Sequence, residues 1–282
     1  MASSGSNSSK NNIDSMIAGQ TLVSVEDAMA LYHNNIKVVK FVDGSWFLGN
    51  DRNAKQEYVE GPRIEGARFL DIDEIATPTE DKLPHMMPSP KVFAATMDAY
   101  DISNDDHVVV YGSQDCMFVA RGYWQLRTMG HQNCHLLDRS LHDWIQAGGP
   151  VEPQGTPPKF PVMDYETAMN AVNEKKSFRY QATDPQNIVD IDELKRLIET
   201  GKTKTAKGDD NDNDKVTIVD VRSPARYKAE VDEPRPGLRL GHMPGAVNLF
   251  FLDLLDPQKA LLIRMRDSSP LHRRQRKDEY TS

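Results

Sequence analysis

The stretch His107-Val-Val-Val-Tyr111-Gly-Ser-Gln-Asp-Cys116 decides the fold, because it holds the strongest strand signal in the chain. Its β-branched run predicts a buried strand, and the residues after Gly112 form a loop that leads into a helix from about Met117 to Met129. A second short strand over Cys134–Asp138 and a helix over Leu141–Ala147 continue the pattern. Strands that alternate with helices predict an α/β domain with a mainly parallel sheet flanked by helices.

The sequence before this stretch shows the same alternation. Ser24-Val-Glu-Asp27 has the form of a capping box and opens a short helix. Val38–Val42 is rich in β-branched residues and predicts another buried strand, despite Lys40. Ser89-Pro90 places an N-cap and an N1 proline ahead of a helix that ends near Tyr100. We therefore expect the three strand runs to share one sheet.

The pattern of the first part of the chain recurs near its end. Val38–Asp43 and Ile64–Asp73 have counterparts in Val216–Asp220 and Met243–Asp253. A repeat of this length indicates two similar domains in tandem. The first copy continues to Gly149, whereas the second copy has far fewer residues left after its matching turn. We therefore expect the second α/β domain to be incomplete.

These observations divide the chain into five segments. Residues 1–20, rich in Ser and Asn, are predicted to be a disordered tail, and residues 21–150 form the first domain. Residues 151–186 carry several prolines and are interpreted as a linker. Residues 187–256 form the partial second domain. Residues 257–282 are a basic tail with no counterpart in the first copy, and we expect it to be foreign to the fold.

Composition limits the classes of partner and the compartment. A formal net charge of -8 argues against nucleic acid or an anionic membrane as the main partner, although small anionic substrates bind to local charge. Two cysteines cannot form a disulfide framework, which favours a reducing intracellular compartment, cytoplasmic or mitochondrial. The eight histidines show no metal-ligand spacing with the cysteines, so we assign no metal. Nothing in the sequence calls for a cofactor.

Several motifs stand in order along the chain: Asp43-Gly-Ser-Trp46, Ala67-Arg-Phe-Leu-Asp-Ile-Asp73, Leu83-Pro-His-Met-Met-Pro88, Asp220-Val-Arg-Ser-Pro-Ala-Arg-Tyr227, Glu233-Pro-Arg-Pro-Gly237 and Gly241-His-Met-Pro-Gly-Ala246. Together they resemble the tandem rhodanese family, most closely the sulfurtransferases that act on 3-mercaptopyruvate or thiosulfate. The resemblance covers most of the chain between Thr21 and Asp256. It implies two rhodanese-like domains, the first of them being the non-catalytic copy.

The resemblance also implies the chemistry. In this family a cysteine directly after a buried strand of the second domain takes sulfur from the donor as a persulfide, which a thiol or cyanide then removes. Backbone N–H groups and a helix N-terminus stabilise its thiolate. No cysteine follows Cys134 here, so we expect the catalytic cysteine to be absent from this chain. By the repeat, Gly112 occupies the nucleophile's position. Cys116 is at most a weak substitute, and Cys134 is predicted to lie in the core.

Four further residues take roles from the resemblance. Arg226 and Arg235 match two arginines that bind the donor carboxylate and carbonyl, for which guanidinium forks are suited. Asp73 and His85 match a pair that completes a serine-protease-like relay with a serine of the catalytic loop. That serine is missing here, so Asp73 and His85 are remnants of the relay.

The leading function is sulfur transfer from 3-mercaptopyruvate or thiosulfate through a cysteine persulfide. The acceptor implied is a reduced thioredoxin-like protein, a low-molecular-weight thiol or cyanide, and no nucleic acid or membrane is expected as a partner. The alternative from another class is an inactive rhodanese-like module that only binds. A third interpretation is a truncated gene product of an ordinary enzyme.

Overall fold

We describe the fold from a computed structural model of the chain. It divides into two compact units, Met1–Ile188 and Val189–Ser282, which are treated separately below. The structure describes residues 17, 19–35, 38–49, 51–80, 82–175, 177–185, 187–203, 215–234, 237–256 and 261–262. Most of the predicted N-terminal tail, residues 204–214, Arg235 and nearly all of the basic tail lie outside these ranges. Within the predicted tail, the described Ile17 is fully buried in the core of the first unit, so the prediction of disorder is wrong at that residue.

The first unit alternates strands and helices in chain order. Its elements are β1 (Leu22–Val23), α1 (Val25–Asn35), β2 (Val39–Asp43), α2 (Ala54–Glu60), β3 (Arg63–Ile64), β4 (Arg68–Phe69), α3 (Pro90–Ala99), β5 (His107–Tyr111), α4 (Val119–Thr128), β6 (Cys134–Leu137), α5 (Leu141–Gln146), β7 (Val151–Glu152) and α6 (Tyr165–Glu174). The second unit contains α7 (Ile191–Glu199), β8 (Val219–Asp220), α8 (Pro224–Tyr227), β9 (Val247–Asn248), a 3₁₀ turn (Phe251–Leu254), β10 (Leu255–Asp256) and β11 (Leu261–Leu262).

A five-stranded sheet with the order β1-β6-β5-β2-β4 forms the centre of the first unit, and all of its pairings are parallel. β2 and β5 are in register from Val39 against His107 to Asp43 against Tyr111, and every residue of both strands is buried. Inner strands of a parallel sheet are covered on both faces, which explains the apolar runs in both strands, although Lys40 and Asp43 of β2 are also buried. The prediction that the three strand runs share one sheet is confirmed.

Side-chain N-caps fix where several helices of this unit begin, and therefore where the preceding loops end. Ser24 Oγ accepts from the Asp27 amide at 3.0 Å, and the helix it opens runs to Asn35, beyond the short segment predicted. Ser89 Oγ caps α3, as the Ser-Pro pair predicts. Helix α4 begins at Val119 without a side-chain cap, a little later than the sequence predicts. The loop after β5 is therefore longer than expected.

The segment 151–186, interpreted above as a linker, contributes two elements to the first unit. β7 pairs antiparallel with β3, and α6 packs against α3. The fully buried Arg63 fixes this segment, because its Nη2 lies 2.7 Å from Glu152 Oε2 and its Nη1 donates to the Tyr58 carbonyl. Because Arg63 and Glu152 are far apart in sequence, the local composition of residues 151–186 does not reveal this ion pair, and the sequence alone indicates a linker.

The second unit exposes much of its apolar surface. Its strands β8 and β9 pair in parallel, with Val219 against Val247 and Asp220 against Asn248. Among its described residues only Thr203 and Ala246 are buried. Several large apolar side chains on and beside these strands are exposed: Val216, Val219, Val221 and Leu249. Hydrogen bonds and ion pairs, rather than a broad apolar core, therefore account for most of the contacts described in this unit.

No helix in the described part of the chain is both long and apolar enough to cross a bilayer.

The buried carboxyl of Asp43 makes the stability of the first unit depend on pH. Burial raises the pKa of Asp43 to about 6, although the hydrogen bond from the Ser45 amide acts in the opposite direction. The folded pKa lies above the unfolded value of about 3.9, so the folded state binds the Asp43 proton more tightly than the unfolded state does. The contribution of this proton to the free energy of unfolding is fully present below about pH 4 and is lost as pH rises through 6.

We therefore expect Asp43→Asn to raise the free energy of unfolding by up to about 3 kcal/mol at pH 8, with little gain at pH 4. Urea denaturation followed by tryptophan fluorescence measures this difference, because all three tryptophans lie in the first unit. Asp51→Asn, at an exposed position, is the matched control. An equal gain at both pH values would contradict the argument.

Candidate functional site

Two loops meet where β2 and β5 end, at the carboxyl edge of the sheet. Ser45 N donates to Asp43 Oδ1 at 2.9 Å, which turns the chain directly after β2. The hydroxyls of Ser45 and Ser113 lie 3.0 Å apart, and Ser113 N donates to Ser45 Oγ at 2.8 Å. Glycine at position 44, between Asp43 and Ser45, allows this close approach, because a Cβ there would meet Val110 Cγ1 at 2.9 Å. This edge is where open parallel α/β sheets bind ligands.

Asp73 and His85, which the resemblance paired, are in direct contact. His85 Nδ1 lies 2.6 Å from Asp73 Oδ1, and the same oxygen accepts from the His85 amide at 3.1 Å. Trp46 Nε1 donates to Asp73 Oδ2 at 2.8 Å, and the indole meets the imidazole edge-on with ring centroids 4.9 Å apart. Both carboxylate oxygens are therefore engaged.

This arrangement selects a tautomer for a neutral His85. An ionised carboxylate only accepts hydrogen bonds, so the imidazole nitrogen facing Asp73 carries the proton and Nε2 keeps its lone pair. His85 is 38% exposed in its side chain and Asp73 37%. The pair borders a surface cavity of about 270 Å³. Other residues that line this cavity are Ala76, Thr77, Pro78, Thr79, Lys82, Leu83 and Pro84. An imidazole Nε2 supported in this way can accept and return a proton.

The thiol of Cys116 is not arranged as a nucleophile. Its Sγ lies 3.5 Å from the Trp46 carbonyl oxygen, and burial raises the pKa of the Cys116 thiol above its usual value. Backbone hydrogen bonds from Phe118 and Val119, at the start of α4, act in the opposite direction, but burial is the larger effect on this pKa. At Gly112, the position of the nucleophile by the repeat, a Cβ would approach the Cys116 Cβ to 3.2 Å.

Cys134 lies in the core, as predicted. It pairs with Val108 in the sheet, and burial raises the pKa of its thiol strongly. No group of three or more His, Cys, Asp and Glu side chains in the described ranges could hold a metal ion. Proton transfer is thus the chemistry that the groups at this edge of the first unit support.

Arg226 of the second unit forms an ion-pair network. Its Nη2 lies 2.5 Å from Glu233 Oε2, and Arg222 Nη1 lies 2.7 Å from the other oxygen, Glu233 Oε1. Arg222 also pairs with Asp220 at 2.6 Å. The two guanidinium groups lower the pKa of the Glu233 carboxyl. The guanidinium of Arg226 is therefore paired with Glu233, whereas the resemblance predicts a donor carboxylate there. Arg235, its predicted companion, lies outside the described residues.

Two residues of the Asp73–His85 site were not singled out by sequence reasoning. Trp46 belongs to the motif Asp43-Gly-Ser-Trp46, but no role was assigned to it from the sequence. Arg121 carried no signal, yet its Nη2 donates to the His85 carbonyl at 2.7 Å.

The fold and this site define an α/β protein whose polar groups gather at the carboxyl edge of a parallel sheet. A sequence profile of the Rhodanese-like domain matches residues 50–147. The chain is 32% identical over 211 residues to 3-mercaptopyruvate sulfurtransferase of Escherichia coli K12, covering 73% of this chain and 62% of that protein. It is 31% identical over 274 residues to thiosulfate/3-mercaptopyruvate sulfurtransferase 2 of Arabidopsis thaliana, covering 93% of this chain and 73% of that protein.

Solved structures give the same result. The Tum1 protein from Saccharomyces cerevisiae superposes with a TM-score of 0.66 at 26% identity, over 86% of this chain and 74% of Tum1. The 3-mercaptopyruvate sulfurtransferase SseA of Escherichia coli superposes with a TM-score of 0.62 at 25% identity, over 86% of this chain and 79% of SseA. The chain belongs to the rhodanese family of sulfurtransferases. It spans less than two thirds of the length of its Escherichia coli K12 relative.

The burial of both thiols leads to a direct test with a thiol reagent. We expect both cysteines of the native chain to react with Ellman's reagent more slowly than in urea, because burial raises both pKa values and so lowers the fraction of reactive thiolate. The Cys134→Ser variant assigns the Cys116 rate. Native labelling of Cys116 as fast as in urea would contradict the absence of an activated thiol.

Proposed function

We propose that this chain supplies the donor-binding and proton-transfer groups of a sulfurtransferase that takes sulfane sulfur from 3-mercaptopyruvate or thiosulfate. We further propose that the nucleophilic thiol of the reaction is neither Cys116 nor Cys134. The observation that carries the proposal is the contact between His85 Nδ1 and Asp73 Oδ1 at 2.6 Å, in a chain of this family. The relatives named for both donors support the choice of substrates.

His85 is the proton-transfer group in this proposal. With Nδ1–H directed to Asp73, its Nε2 takes a proton from an attacking thiol or hydroxyl. In the donor step, the carbon–sulfur bond of 3-mercaptopyruvate breaks as a thiolate other than Cys116 and Cys134 bonds to its sulfur and becomes a persulfide. The electron pair of that bond remains on the pyruvate fragment, which takes up a proton to become pyruvate. Asp73 stabilises the imidazolium formed in between.

Arg226 is the donor-binding group, together with Arg235. A keto acid presents a carboxylate that a guanidinium binds through two hydrogen bonds, and this favours 3-mercaptopyruvate as the donor. Arg226 already holds the Glu233 carboxylate in this way, so a donor competes with Glu233 for the same guanidinium. The side chain of Arg226 is 32% exposed, so the residue is in contact with solvent.

The thiol chemistry needs a group beyond the two buried cysteines. A persulfide forms on a thiolate, and burial disfavours the thiolate at Cys116 and at Cys134. The sulfur then passes to a reduced thioredoxin-like protein, a low-molecular-weight thiol or cyanide. A cytoplasmic or mitochondrial location fits such a reducing acceptor.

The second candidate is a rhodanese-like module that binds a protein partner without turnover and holds no sulfur donor. The burial of both thiols favours it, as does the occupation of Arg226 by Glu233. The two candidates differ in one property, which is the binding of a sulfur donor at the guanidinium of Arg226.

Turnover by the 282-residue chain tests the thiol assignment. With 3-mercaptopyruvate and dithiothreitol we expect sulfide release no faster than in the protein-free mixture, because no thiolate is available to form the persulfide. Cys116→Ser should give the same rate as the unchanged chain. Turnover within about tenfold of the typical enzyme rate of about 10 s⁻¹, abolished by Cys116→Ser, would overturn the assignment.

Donor binding separates the two candidates. In isothermal titration with 3-mercaptopyruvate, we expect Arg226→Met to weaken binding by at least about tenfold, which is the loss of a charged hydrogen bond. Arg196→Met is the matched control, since Arg196 is an exposed arginine of α7 in the same unit. No binding by the unchanged chain, or equal binding by Arg226→Met, would favour the module without turnover.

A further inference from the structure

His85 holds an unusual backbone conformation. Its φ is +60°, in the left-handed region that side chains other than glycine seldom adopt. Such a conformation costs free energy and persists only where the surroundings fix it, and it is often found at functional sites. The question is which contacts hold His85 there.

Two charged groups hold the peptide units on either side of the His85 Cα. Asp73 Oδ1 accepts from the His85 amide at 3.1 Å, and Arg121 Nη2 donates to the His85 carbonyl at 2.7 Å. Hydrogen bonds to charged groups are stronger than those between neutral groups. With both peptide units fixed, the rotation about the Cα is fixed, and the imidazole is directed to the same carboxylate oxygen.

Arg121 itself is held in place to make this contact. Its guanidinium lies over the Trp124 ring at 4.6 Å, and its Nη2 is 3.6 Å from Met87 Sδ. Its Nε is buried without a hydrogen-bond partner within the described ranges, which is an unfavourable position for a charged group. Burial lowers the pKa of Arg121, while the Asp73 carboxylate acts in the opposite direction. Packing alone does not account for a charged side chain in this environment, so a specific contact is needed to explain its position.

We infer that Arg121 is a positioning residue for the proton-transfer pair: by holding the His85 carbonyl it maintains the left-handed backbone that places the imidazole on Asp73. The inference rests on the proposed function, since it assigns Arg121 to the pair that moves the proton. Arg121 donates to the carbonyl of His85 and acts on the imidazole only through the backbone.

The test observes His85 directly in the full chain labelled with ¹³C,¹⁵N-histidine. The His85 signals are assigned with His85→Gln, because eight histidines are present. In the unchanged chain we expect the Nδ1–H tautomer and a slowly exchanging His85 amide. In Arg121→Met the ring should lose this tautomer preference, and the amide should exchange at least about tenfold faster, as expected for loss of a hydrogen bond to a charged group.

Two variants separate positioning from general stability. Arg121→Lys keeps a cationic donor and should retain the Nδ1–H tautomer. Arg127→Met makes the same substitution on the same helix, at an exposed arginine that bonds to the Gln132 carbonyl, and should leave His85 unchanged. If Arg121→Met does not fold, Arg121→Gln, which is too short to reach the carbonyl, replaces it in the same comparison.

Unchanged His85 tautomer and exchange in the Arg121 variant would overturn the inference. Equal acceleration of exchange at amides throughout the first unit, with a matching drop in the unfolding midpoint, would also overturn it, because Arg121 would then be merely structural. Neither readout uses a sulfur donor. If the chain binds no donor, the proposed function is wrong, but the measured effect of Arg121 on His85 still stands. The two failures can therefore be distinguished.

Discussion

The parallel pairing of β2 with β5 is the constraint on which the rest of the first unit depends. The two fully buried strands are in register over five residue pairs and end together at Asp43 and Tyr111. Because they end together, the loops that follow them begin side by side, and the hydroxyls of Ser45 and Ser113 can bond to each other. The polar edge of the sheet therefore follows from a register set by apolar side chains.

From this edge, local hydrogen bonds lead the chain to the contact between Asp73 and His85. Leu70 N donates to the Asp43 carbonyl at 2.8 Å, which holds the chain against β2 beyond β4. Asp71 Oδ1 then accepts from the Asp73 amide at 2.8 Å and turns the chain, so that the Asp73 carboxylate meets the indole of Trp46. Trp46 lies three residues past the end of β2. The chain that carries Asp73 and the indole that bonds to its carboxylate are thus both positioned by the end of β2.

The sequence predicted those parts of the fold whose signals are local. Runs rich in β-branched residues identified β2 and β5, and the strand–helix alternation after them identified the short strand β6. Strands of two residues, such as β3 and β7, are too short for any periodicity to reveal. Helix α6 buries only Ala168 among its ten residues, so its surroundings of proline made it resemble a linker.

The candidate site divides in the same way. Asp73 and His85 came from motif resemblance, and their contact is present in the structure. Trp46 stood inside a motif without a role. Arg121 was invisible because it reaches a backbone carbonyl, a group that every residue carries, from a helix distant in sequence. The roles carried to Arg226 and Arg235 remain predictions, one with its guanidinium on Glu233 and the other outside the described residues.

The buried ion pair between Arg63 and Glu152 determines how this protein can be divided. A fragment that stopped at Pro150 would keep every strand of the central sheet, yet it would leave the Arg63 guanidinium buried without its carboxylate. Breaking a buried pair on one side costs about 3 to 5 kcal/mol, a large part of the stability of an ordinary domain. The same fragment would uncover Tyr100, whose hydroxyl accepts from the Met163 amide. The autonomous folding unit is therefore larger than the sheet, and the segment after Pro150 belongs to it as much as any strand does.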